Sequence, residues 1–191
     1  MNREIALSIM LVLGGCAAPL KIDSAKMSES AATLEIESPE LASYITVPLM
    51  NYKYVNVTLW HLLGCDSKAL LGAKVDELGK ARLTPKSTAQ SVQVPAGMEL
   101  AIYGESNENL GGNLYRCGQA VRFVSEPGAT YRLHFRPHGS IHGEACDLQL
   151  TRVRAGVTEP VPGAFLAIKE PIQGLLKGGN LNLCWREDHP P

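Results

Sequence analysis

Residues 119–136, QAVRFVSEPGATYRLHFR, and residues 146–153, CDLQLTRV, decide the fold of this chain. Val121 and Phe123 share one parity in the first run. Tyr131, Leu133 and Phe135 share one parity in the second, with Thr130, Arg132, His134 and Arg136 on the other. Leu148 and Leu150 repeat the pattern in the third. A period of two is the signature of a half-buried strand. Glu126-Pro127-Gly128-Ala129 is a turn signal, because proline presets its backbone and glycine accepts a left-handed one. The expectation is a three-strand antiparallel meander with one polar face.

Working outward, the same period recurs. Val55, Val57 and Leu59 oppose Asn56, Thr58 and Trp60, and Met98, Leu100 and Ile102 share one side of another strand. Residues 88–94 read as a strand entering a turn at Val94-Pro95-Ala96-Gly97, and residues 181–185 as a last short strand. Residues 104–113, GESNENLGGN, read as an exposed loop, and residues 66–79 as a helical turn or long loop. Residues 17–43 are polar and rich in small side chains. They read as a flexible tether, in which residues 33–37 either form a short edge strand or remain linker. Seven to nine short strands between Gly/Pro turns predict an all-β chain. The expected architecture is an antiparallel two-layer sandwich of the transthyretin or immunoglobulin kind.

The chain has 191 residues, 18 Lys and Arg against 19 Asp and Glu, and a formal charge of −1. That balance implies no nucleic-acid partner and no polybasic membrane surface. At the amino end, residues 5–13 form an apolar run behind Arg3 that is too short to cross a bilayer, which takes ~20 residues, and has the proportions of an export signal. Of five cysteines, Cys16 closes that run, leaving Cys65, Cys117, Cys146 and Cys184. An even number in an exported chain implies two disulfides, and three connectivities are open. Alternate strands of a meander run the same way, which places Cys117 and Cys146 at one end of a sheet. Cys117–Cys146 is therefore the expected pair, and Cys65–Cys184 follows by elimination.

Two resemblances add to this. Leu13-Gly14-Gly15-Cys16 resembles the lipobox of bacterial lipoproteins. The likeness implies cleavage before Cys16, lipid on its thiol and amine, and, with Ala17 next, export to the outer membrane. The domain would then lie in the periplasm. Residues 1–15 would be the signal peptide, 16–45 the acylated cysteine and tether, and 46–187 the β-sandwich. The order Val94-Pro95-Ala96-Gly97, Tyr115-Arg116-Cys117, Phe123 to Tyr131, then Cys146 resembles a group of uncharacterised proteobacterial lipoproteins. That group implies a small secreted β domain and transfers no functional residues.

The candidate chemistry is sparse. His134, Arg136, His138, His142 and Glu144 form the densest polar cluster, and His134, His138, His142 and Glu144 are the candidate metal ligands. Trp60 and Tyr54 share the outward parity and are candidate platforms for a sugar. No HExxH or GxSxG motif occurs, so no enzyme and no cofactor are expected. The reading is a membrane-anchored structural or adaptor module with an envelope protein partner. The alternatives are a glycan- or peptidoglycan-binding protein and a metal-binding or enzymatic domain built on residues 134–144.

Overall fold

The computed structural model describes residues 22, 31–44, 51–64, 74–137, 146–161 and 165–167. Among these residues ten strands carry the fold: β1 (Ala32–Glu37), β2 (Asn51–Gly64), β3 (Lys74–Leu83), β4 (Ala89–Val94), β5 (Glu99–Leu110), β6 (Asn113–Val124), β7 (Thr130–Arg136), β8 (Asp147–Arg154), β9 (Val157–Pro160) and β10 (Phe165–Ala167). A 3-10 helix, Pro39–Ser43, follows β1, and no α-helix occurs among the described residues. The strands form two five-stranded sheets, β4-β1-β7-β8-β9 (sheet I) and β10-β6-β5-β2-β3 (sheet II). Pairing is antiparallel except between β1 and β7, which run parallel.

The period-two residues behave as expected. Val55, Val57 and Leu59 of β2, Leu100 and Ile102 of β5, and Val121 and Phe123 of β6 are buried in one cluster. Leu34 and Ile36 of β1, Leu133 and Phe135 of β7, and Leu148 of β8 join the same cluster from sheet I. Each such side chain contributes roughly 1.5–3 kcal/mol by leaving water. The backbone of Gly104 comes so close to sheet I that a Cβ there would lie 2.5 Å from the Phe135 ring.

Four expectations are corrected. The strands of the deciding stretch do not form one meander, since β6 belongs to sheet II and β7 and β8 to sheet I. The turn between them is a corner. Pro127 has no N–H to offer, Gly128 takes φ +67, and the Gly128 N–H donates to the Ala31 carbonyl at 3.0 Å. The Thr33 N–H donates to the Ala129 carbonyl at 2.9 Å, so the chain leaving β6 is handed to β1 and not folded back. The Tyr131 hydroxyl fixes the corner by accepting from the Glu126 N–H at 2.8 Å and donating to the Val124 carbonyl.

The tether expected through residue 45 gives way to structure at Ala32. β1 is no edge strand: it lies between β4 and β7, with Leu34 and Ile36 in the core. Residues 104–110, expected as an exposed loop, are the second half of β5. The 14 residues of β2 offer a long edge, and β5 pairs with it from Leu100↔His61 to Leu110↔Asn51. Backbone satisfaction along that edge overrides the polar side chains. Residues 74–79, expected as helical turn or loop, belong to β3. Leu59 pairs with Gly79 and Trp60 with Glu77, so Leu78 is skipped at a bulge and the period-two pattern loses phase there.

Cys117 and Cys146 are bonded, with Cα atoms 5.6 Å apart. The pairing is the expected one for a different reason: Cys117 is in β6 of sheet II and Cys146 immediately precedes β8 of sheet I, so the bridge ties sheet to sheet. Cys16, Cys65 and Cys184 lie outside the described residues.

Candidate functional site

Two polar faces remain once the core is assigned, and of the expected site residues they contain His134, Arg136, Tyr54 and Trp60. On the outer face of sheet I, β7 presents Arg132, His134 and Arg136 beside Glu35 of β1. Arg132 places Nε and Nη2 at 3.2 and 3.1 Å from Glu35 Oε2. The 3-10 helix brings Glu40 over the far end of β7. Its Oε1 lies 3.2 Å from both His134 Nε2 and Arg136 Nε. Partial burial would raise the Glu40 pKa, but hydrogen bonds from its own backbone N–H, Arg136 and His134 outweigh this and leave it lowered. Across the sheet end, Arg152 bridges Glu126 and Glu159. On the outer face, Glu35 and Glu40 thus engage Arg132, His134 and Arg136, the three basic side chains that β7 places there.

Of the expected metal ligands, His134 is described and is engaged by Glu40. His138, His142 and Glu144 lie outside the described residues, and no group of three His, Cys, Asp or Glu with metal-ligand geometry occurs among those that are described.

The outer face of sheet II carries the expected aromatic residues. Trp60 and Tyr54 do share a parity. Trp60 lies against Tyr103, ring centroids 6.3 Å apart. Tyr54 stacks on Tyr52 at 5.9 Å, and the Arg82 guanidinium covers it at 4.4 Å from the ring centroid. Both rings are therefore committed to neighbours on the same face.

β5 supplies what the sequence reading missed. Tyr103, Glu105 and Asn107 stand in a row on this face, opposite Thr58, Asn56 and Tyr54 of β2. All three are buried, at 7%, 5% and 3% exposure. Tyr103 Oη and Asn107 Nδ2 find no hydrogen-bond partner among the described residues. Burial raises the Tyr103 pKa, the Glu105 charge adds to the rise, and the Arg116 charge opposes it. The opposite parity of β5 contributes Glu108, paired with Lys53 at 3.2 Å with both side chains about nine-tenths buried. The one signal available in the sequence was continuity: residues 98–103 already alternate, and nothing in GESNEN forbids a strand from continuing except its polarity.

No protein-family model matches the chain, and neither a curated protein nor a solved structure matches it significantly.

Proposed function

We propose that this is a membrane-anchored envelope lipoprotein, acylated at Cys16, whose two sheets form a β-sandwich acting as a non-catalytic structural or adaptor module in the periplasm. One observation carries the reading: a disulfide joins the two sheets of a body that follows an LGGC-terminated apolar leader. Disulfides persist in oxidising compartments, and two or more acyl chains hold a protein firmly on a membrane. The single core shared by both sheets and the close passage of Gly104 at Phe135 support the sandwich.

Strand β4 supports the adaptor role. Among the described residues it ends sheet I and pairs with β1 alone, and its sequence, AQSVQV, carries no charge. An uncharged edge strand is a template to which a partner can add a strand. The test is fractionation of the native chain and Cys16→Ser. The native chain should sediment with membranes and the variant should not; equal sedimentation removes the anchor. For the partner, a photo-crosslinking residue at Ser91 should yield one discrete envelope adduct that the same residue at Lys86 does not. Identical products from both positions would remove the role assigned to β4.

A further inference from the structure

Among the described residues four strands border the two sheets, and three of them are guarded against pairing. β3 carries Lys74, Asp76, Glu77, Lys80 and Arg82. β9 carries Glu159 and ends at Pro160, and β10 is three residues long. Charge, proline and shortness are devices that keep an edge single. β4 has neither charge nor proline along its six residues.

The unused hydrogen-bonding groups of β4 can be named. The Ser38 N–H donates to the Thr88 carbonyl at 2.8 Å, and Glu37 stands opposite Ala89. Bonded pairs of an antiparallel ladder alternate. Gln90, Val92 and Val94 therefore bond to β1, and Ala89, Ser91 and Gln93 turn N–H and C=O away from it. The frame agrees on the other side of β1, where the Thr33 N–H bonds to Ala129, the residue before β7. The next residues of the same parity, Ser87 and Pro95, close the row at both ends. Ser87 exchanges backbone hydrogen bonds with Thr84 at 2.9 and 3.0 Å. Pro95 has no N–H, and its carbonyl accepts from Ser125 Oγ at 2.6 Å. What stays open is Ala89, Ser91 and Gln93, all exposed, a set symmetric about Ser91.

We propose that β4 pairs with β4 of a second copy of this chain, antiparallel about a two-fold axis at Ser91, so that the two copies of sheet I become one continuous sheet. The proposal rests on the reading of β4 as a docking edge and names its partner. Ser91 then faces Ser91 and Ala89 faces Gln93 as bonded pairs, with Gln90 against Val92 between them. Every open N–H and C=O meets its complement. A strand that meets its own copy sets each of its charges near a like charge, and β4 has none. The nearest like charges are the two Glu35 side chains, each beside Ser91 but one strand back. They stand three strand spacings apart, ~14 Å, beyond the screening length of ~8 Å in physiological salt. Each is also held by its own Arg132. The same patch serves both copies, so the contact closes at two and leaves no β4 edge free.

The test uses the full chain in membranes, with a photo-crosslinking residue at Gln93. It should yield an adduct of twice the chain's mass, in which the linked peptide of the second copy contains Ala89. Ser91→Lys sets two cations opposite each other and should lower that yield several-fold. Ser91→Glu should do the same with two anions, and co-expression of the two variants should restore it. Retention of the Cys117–Cys146 bridge in each variant shows that the fold is kept. An unchanged yield in Ser91→Lys, or no recovery in the mixture, overturns the proposal. An adduct to a different protein also overturns it while leaving β4 a docking edge, whereas identical products from Ser91 and Lys86 remove both readings.

Discussion

The two sheets hold similar polar residues and treat them in opposite ways. On sheet I, Arg132 and Glu35 meet with both side chains over two-fifths exposed. On sheet II, Lys53 and Glu108 meet at nearly the same distance with both about nine-tenths buried. Ion pairs of the same charge type in high and low dielectric differ by several kcal/mol in what their loss costs. Sheet I uses charge to make a wet face compatible with a sheet. Sheet II places polar groups where each must be matched.

The contrast can be broken by removing one partner of each pair. Lys53→Ala leaves the buried Glu108 without its cation, the Tyr44 hydroxyl still beside it, and is expected to destabilise by about 3 kcal/mol, whereas Arg132→Ala should lose under about 1 kcal/mol. Urea unfolding of the two variants checks this, and equal losses would contradict it.

Two alanines sharpen the same comparison. Ala101 lies on the outer face of sheet II at 0% exposure, and Ala89 is exposed on β4 of sheet I. Ala101→Lys is expected to cost about 3 kcal/mol, because an unpaired charge enters a closed layer facing Arg122. Ala89→Lys, opposite Glu37, should stay within about 0.5 kcal/mol. Thermal or urea midpoints distinguish them, and a tolerated Ala101→Lys would show that face to be open.

Gly104→Ala comes next. The added methyl meets the Phe135 ring, buried and central, and overpacking of this kind costs about 1–3 kcal/mol. Gly97→Ala has space around it, so its smaller penalty comes from φ +73 alone.

The smallest effect is that of pH on sheet I. Glu40 has a lowered pKa in the folded state, so its contribution is complete above the ordinary carboxyl value of 4.5. It is lost as pH falls through the lower folded value. With the side chain about one-third exposed, the contribution is under about 1 kcal/mol. Glu40→Gln should flatten the acid limb of the stability profile slightly; an unchanged limb would remove the role given to Glu40.

What could be read from the chain follows from which interactions are local. Residues 55–59, 100–102 and 131–135 alternate because each faces water on one side and the core on the other, so their strands and parity were legible. The break at Leu78 was not, because a bulge shifts phase without altering composition. Residues 104–110 read as loop, and residues 33–37 stayed open between edge strand and linker, for a shared reason: their strands are held by neighbours remote in sequence, β2 for one and β4 and β7 for the other. Sheet membership was equally hidden. The 126–129 turn reads alike whether it closes a hairpin or turns a corner, and only Ala31 and Thr33 decide. Of the candidate sites, Trp60 and Tyr54 were placed on one face, but the row Tyr103, Glu105 and Asn107 beside them was lost with the strand that carries it.

The proposed anchor at Cys16 and the Cys117–Cys146 bridge can be read together in one mass spectrum. The intact protein from membranes should lack residues 1–15, carry the mass of a diacylglycerol and an acyl chain at Cys16, and hold Cys117 and Cys146 oxidised. A mature protein that retains residue 1, or has an unmodified Cys16 and free thiols at 117 and 146, would contradict the account.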